Sequence, residues 1–262
     1  MKKYSILVAL VIMCLAACTP SATEPVEEAD YGNPAAEGFN EAGSDAQAIA
    51  LADEVMEAMG GRQAWDQTRY IRWTFFGRRT LLWDKQTGNV RIDSPGDSSV
   101  YLVNVFDHTG KVMLQGQDIS ASDTLSKFVE RGESMWINDS YWLVMPYKLK
   151  DSGVTLKYIA EDTTDAGTAA DILSLTFQEV GRTPQNKYLV YVDQTSKLVS
   201  QWDFYRNAAD TIAGFKNPWL NYEQKGDIML SGDRGRGKLT NIEVLESIPA
   251  SAFTSFDLPS TE

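Results

Sequence analysis

The chain has 262 residues, 43% hydrophobic and 23% charged, which suits one globular domain rather than a disordered or fibrous protein. Twenty-four Lys and Arg against 36 Asp and Glu leave a net charge of −12, a field that repels nucleic acid and excludes it as a partner. His108 is the one histidine, and Cys14 and Cys18, both near the N-terminus, are the two cysteines. Most zinc sites and every Cys–His nucleophile pair are thereby excluded, and no metal or cofactor is expected.

Met1-Lys2-Lys3 is followed by an apolar run from Ile6 to Ala17. A run of about a dozen residues is too short to span a bilayer of about 30 Å as a helix, so residues 1–17 read as a signal peptide. Leu15-Ala16-Ala17-Cys18 resembles the lipobox of bacterial lipoproteins. That resemblance implies that Cys18 becomes the acylated first residue of the mature chain, a membrane tether rather than a free thiol. Thr19 stands where inner-membrane retention signals usually carry Asp, which implies an outer-membrane, lipid-anchored protein on the periplasmic face or at the cell surface.

From Thr19 to Ser44 there is no Lys or Arg, but six acids and three prolines. Residues 18–44 therefore read as a self-repelling flexible tether, and 45–262 as a single β-rich domain. Ser44 and Gln47 have capping-box spacing, and Ile49, Ala52, Met56 and Met59 recur at helical spacing until Gly60-Gly61, predicting a helix over 45–59. The period then becomes two. Ile71, Trp73 and Phe75 alternate with polar residues, as do Val90 and Ile92. Further strands are predicted at 100–106, 111–116, 154–161, 171–180, 187–193, 197–206, 219–230 and 238–246, separated by Asp- and Gly-rich turns. About ten to eleven strands without alternating helices argue for an α+β fold. Its centre would be a large curved antiparallel β-sheet, a half-barrel, with an N-terminal helix.

The segment 120–149 interrupts the meander as a helical lid insertion. Leu125, Phe128 and Val129 suggest a helix, and Met135-Trp136 and Tyr141-Trp142-Leu143-Val144-Met145-Pro146-Tyr147 form the densest aromatic and Met patch. Tyr101 to Phe106 and Leu198 to Tyr205 are apolar on both faces and need cover on both sides. A lid over the concave face would line a hydrophobic cavity with Phe128, Met135, Trp136, Tyr141, Trp142, Met145 and Tyr147 from the insertion and Trp73, Phe75 and Trp202 from the sheet. A filled core built from the same residues is the alternative. Gly232 to Leu239 matches most of a phosphate loop, but Leu239 replaces the required Ser or Thr, so a basic hairpin turn is expected. His108 lies in turn chemistry without a G-x-S-x-G partner motif. Asp139 and Asp151 near the aromatic patch leave a carboxylate-dependent glycoside hydrolase as a lesser reading.

These features together resemble the LolA/LolB-like lipoprotein-carrier superfamily. The ending Ile248-Pro249-Ala250-Ser251-Ala252-Phe253 belongs to that resemblance, and Asn138 to Leu149 with Asp151-Ser152-Gly153-Val154 resembles an uncharacterised family of Bacteroidetes-type outer-membrane lipoproteins. The resemblance covers roughly residues 45 to 255, and no carrier residue maps onto a single position here. It implies a curved sheet around an apolar cavity, no catalytic residues, and a lipid or other hydrophobic small molecule as partner. An envelope protein partner or scaffold role, with a filled interior, is the alternative.

Overall fold

Ala48, Leu51, Ala52, Val55, Met56 and Met59 recur at the spacing of one helical face, and this is the stripe that α1 (Ala46–Ala58) and its C-cap bury. The computed structural model describes residues 31–257, so the expected signal peptide and Cys18 lie outside the described residues. The expected capping box does not form. Ser44 Oγ donates to the Asn40 carbonyl and accepts from the Leu156 amide, while the Asp45 carboxylate accepts from Lys157 Nζ and the Tyr158 amide. Both side chains tie the helix start to a strand instead of to the helix. Of the tether expected over 18–44, residues 18–30 lie outside the described residues, and the later part is packed: residues 36–45 hydrogen-bond to the backbone of 150–156, and Phe39 packs on the core.

Gly60 ends α1 at φ 108°, where an added Cβ would lie 2.3 Å from the Asp227 carbonyl oxygen. A short helix that the sequence reading missed, α2 (Gly61–Gln67), follows directly. The chain then lays down β1 (Tyr70–Phe75), β2 (Arg79–Asp84), β3 (Asn89–Ser94), β4 (Ser99–Asn104), β5 (Thr109–Leu114) and β6 (Gln117–Asp118). The expected helical insertion is α3 (Ser122–Val144), closed by a 3-10 turn over Met145–Lys148 with Pro146 in its first positions. Next come β7 (Val154–Thr163), β8 (Ala169–Phe177), β9 (Lys187–Asp193), β10 (Val199–Tyr205) and β11 (Phe215–Pro218). The last elements are β12 (Glu223–Lys225), β13 (Ile228–Leu230), β14 (Asp233–Arg234), β15 (Gly237–Leu245) and a 3-10 turn over Ala250–Phe253.

The fold is α+β with large curved antiparallel sheet structure, as expected. Its strands hydrogen-bond in the orders β14-β15-β1-β2-β3-β4-β5-β6 and β11-β10-β9-β8-β7, with β12 and β13 as a separate ribbon. The segment that follows β11 meets the eight-stranded sheet where Leu220 bridges Asp233 of β14. The strand expected over 219–230 is broken there into this bridge and the ribbon.

One continuous core fills the space between the sheets, α1 and α3, and includes Ile71, Trp73, Leu81, Val90, Ile92, Tyr101, Val112, Leu173, Val190 and Trp202. At Gly132 α3 comes so close to β4 that an added Cβ would lie 2.9 Å from Val103. The other face of the eight-stranded sheet carries the cross-strand row Leu82, Arg91, Leu102, all buried. Its cover is the C-terminal segment. Arg91 donates to the carbonyls of Ala252, Ser255, Phe256 and Asp257 and pairs with Asp93. The second cover expected from the 120–149 insertion is thus corrected for this sheet: α1 and α3 pack on the same inner core, and the outer face is covered by the C-terminal segment.

Candidate functional site

Most of the aromatic residues singled out in the sequence fall into two clusters along α3. In the first, Trp65 of α2 stacks on Tyr147 at 4.2 Å between ring centres, and Trp136 of α3 meets Trp83 of β2 edge-on at 5.3 Å. The Tyr147 hydroxyl lies 2.8 Å from the carbonyls of Met59 and Met229 and accepts from the Met229 amide. Lys85 lays its ammonium 3.3 Å from the Trp65 ring centre and donates to the Trp65 carbonyl. Burial pushes that ammonium down to about 7.

The second cluster lies where the C-terminal half of α3 meets the five-stranded sheet. Trp142 packs edge-on against Trp202 of β10 at 4.9 Å, stacks on Phe215 of β11 at 5.6 Å and meets Phe76 of the β1–β2 turn at 5.3 Å. Phe215 stacks in turn on Phe204, and Tyr188 of β9 on Trp202. Tyr141 adds contacts to Tyr188, Trp202 and Phe177. Strand alternation places Trp202 and Phe204 on one face, and register places Tyr188 beside Phe204 and Phe204 beside Phe215. Trp202 is 1% exposed, whereas Phe215 is 36% exposed and Trp142, Phe76, Phe204 and Tyr188 are partly exposed. This seam therefore runs from the core to the surface.

Its polar atoms are unusual. The Tyr141 hydroxyl and the Trp202 and Trp219 indole nitrogens are buried without a hydrogen-bond partner, as are those of Trp73, Trp83 and Trp136. Burial pushes the Tyr141 phenol well above its ordinary range. A buried unmatched donor costs about 1–3 kcal/mol, and both clusters carry such donors, Trp83 and Trp136 in the first and Tyr141 and Trp202 in the seam.

Two arginines fix α3 beside the seam. Arg79 of β2 grips the fully buried Asp139 with Nε at 2.5 Å and Nη2 at 2.7 Å. Burial raises the Asp139 carboxyl, and the Arg79 bonds oppose that rise. Arg234, 1% exposed, donates to the Trp142 carbonyl near the C-terminus of α3, to Ser231 and to the Asp233 carbonyl, and lies 3.4 Å over the Trp219 ring. No carboxylate pairs with it among the described residues; carbonyl oxygens and the negative end of the helix dipole surround its charge. Burial lowers it to about 9.

No protein-family model matches this chain, and no curated protein matches it. Among solved structures it is similar to a DUF1329 family protein from Desulfovibrio piger, with 14% identity, a TM-score of 0.42, and coverage of 79% of this chain and 96% of that one. It is also similar to MucB, at 15% identity and TM-score 0.25 over 79% of this chain, and to MucB in complex with MucA(peri), at 14% identity and TM-score 0.23 over 70%. Both MucB matches span 61% of the MucB chain. Likeness this distant transfers no residue and no function.

Of the ten predicted lining residues, Phe75, Tyr141, Trp142 and Trp202 come together in the seam, and Trp136 and Tyr147 belong to the first cluster. Trp73 and Met145 sit in the core with no exposed surface, and Phe128 and Met135 pack partly buried against it. Phe204, part of the doubly apolar strand, and Phe215 are not among the predicted lining residues, although alternation from Trp202 points to Phe204. The glycine-rich stretch is the expected hairpin turn, with Gly235 and Arg236 at its tip. Its surprise is that Arg234 is buried. Asp139 is bound by Arg79 and Asp151 by Lys148, so both suggested catalytic carboxylates already carry cationic partners. His108 pairs with Glu133 of α3 at 3.0 Å from an exposed turn.

Proposed function

We propose that this protein binds a lipid or other apolar small molecule in the aromatic seam between α3 and the five-stranded sheet, as a binding protein rather than an enzyme. The observation that carries the reading is the partly exposed ladder Phe76, Trp142, Phe215, Phe204 and Tyr188 standing on the buried Trp202. Rings supply large apolar area at small rotamer cost, and an apolar ladder left open to solvent is the surface a hydrophobic ligand covers. In this reading the rings already touch one another, so the ligand lies along the rim rather than in a preformed chamber. Among the described residues no helix is long and apolar enough to cross a membrane. Attachment is assigned to acylated Cys18, which places the protein at the outer membrane in lipid handling at the envelope.

Native mass spectrometry with lipid extraction, on the chain secreted with Cys18→Ser, tests this. We expect a co-purifying or added fatty acid on the wild-type chain, and its loss in Trp142→Ala and Phe215→Ala variants whose denaturation remains cooperative. An apo mass with no uptake of added lipid would leave the envelope scaffold with a filled interior as the better reading.

A further inference from the structure

The β1–β2 and β14–β15 hairpins are neighbours. β1 pairs with β15 through Phe75 and Leu239, so the turns that follow Phe75 and precede Gly237 lie side by side. They touch through Phe76, since an added Cβ on Gly237 would lie 2.5 Å from its ring. Phe76 in turn packs on Trp142. Each turn carries one exposed arginine, Arg78 and Arg236, and neither has a carboxylate partner among the described residues. The nearby acids are engaged: Asp139 by Arg79, and Asp233 by Lys238, Asn221 and the Gly235 amide. In a chain of net charge −12, two exposed guanidinium groups without a paired carboxylate beside an aromatic ladder run against the general field, although the Arg78 charge also reaches Asp139.

From this juxtaposition we infer that the seam selects an anionic amphiphile: the acyl chain lies along Trp142, Phe215 and Phe204, and the carboxylate or phosphate head is held by Arg78 and Arg236. Guanidinium suits both heads because its planar fork donates two parallel hydrogen bonds to paired oxygens. The assignment rests on the binding reading above and narrows it to one ligand charge.

Titrations of the Cys18→Ser chain with oleate, oleyl alcohol and phosphatidylglycerol, followed by tryptophan fluorescence, test it. At least one anionic ligand is expected to bind about tenfold more tightly than the alcohol, the factor a single charge-assisted bond of about 1.4 kcal/mol confers. Preference for oleate alone identifies a free fatty acid as the source, and preference for phosphatidylglycerol alone a phospholipid. In an Arg78→Ala, Arg236→Ala double variant the anionic advantage should vanish while alcohol binding stays, and both exposed substitutions should leave the denaturation midpoint in place. Equal affinity for oleate, phosphatidylglycerol and alcohol in the wild type, or an anionic preference that survives the double substitution, overturns the head-group assignment and leaves seam binding standing. Failure of all three ligands to bind overturns the seam reading itself.

Discussion

Tyr141 and Tyr147 stand six residues apart and illustrate two ways of burying an aromatic cluster. The Tyr147 hydroxyl is matched to the Met59 and Met229 backbones, and its ring is sandwiched with Trp65 under the Lys85 ammonium. That cluster's phenol oxygen is satisfied, while its Trp83 and Trp136 indole nitrogens are not. The Tyr141 hydroxyl is buried with no partner, in a seam whose outer rings reach solvent. Aromatic density, which is all the sequence offers over this stretch, is the same in both. What separates the two is whether the phenol hydroxyl is matched and how far the rings reach the surface, where Phe215 of the seam is 36% exposed.

Both clusters depend on α3, so the harshest way to break the comparison is to release that helix. Arg79→Ala leaves the Asp139 carboxylate, 0% exposed, without its cation, and should destabilise the fold by about 3–5 kcal/mol in urea unfolding. The Trp136 and Trp142 environments should loosen together, read by fluorescence of variants that retain one of the two. A change confined to one tryptophan would show that the clusters are mechanically separate and that α3 is held at more than one place.

Removing the two hydroxyls sharpens the contrast at lower cost. Tyr147→Phe strips partners from the Met59 and Met229 backbones and should cost about 1–3 kcal/mol. Tyr141→Phe removes an unmatched donor, so its effect on stability should fall within about 0.5 kcal/mol of zero, on the stabilising side. If the two substitutions cost the same, the seam is as closed as the other cluster and its claim to be a site fails.

Much of this fold was legible because period-two and helical patterns report burial directly. The α1 stripe, α3 and most strands of both sheets follow from apolar spacing. What stayed hidden were the places where polar side chains are buried by distant backbone. Arg91 sits between Val90 and Ile92 in clean alternation, so its face reads as solvated; the carbonyls of Ala252 to Asp257, more than 150 residues away, cover it instead. Arg234 was hidden for the same reason, since a basic glycine-rich turn gives no sign that a helix end will accept its hydrogen bonds. α2 has no fully buried residue and thus no stripe, so Trp65 and its contacts were invisible. For the seam, the sequence supplied Trp142 and Trp202 but not Phe215, because the pairing of β10 with β11 is set across the loop between them.

A pH titration tests how dry the first cluster is. Burial is the largest influence on Lys85 and lowers its ammonium from 10.5 to about 7. Below pH 7 the folded chain holds this charge at the full desolvation cost. Between about 7 and 10.5 the unfolded chain keeps a proton that the folded chain has released, so stability contributed at this site rises with pH. Lys85→Met keeps the packing and removes the titration. The stability of wild type minus that of Lys85→Met should therefore climb from pH 7 toward pH 10, measured by urea unfolding at each pH. A flat difference would mean that the Trp65 face and carbonyl hold the ammonium charged throughout. The first cluster would then be an ion site wet enough to keep its charge, and its contrast with the seam would rest on the Tyr147 hydroxyl alone.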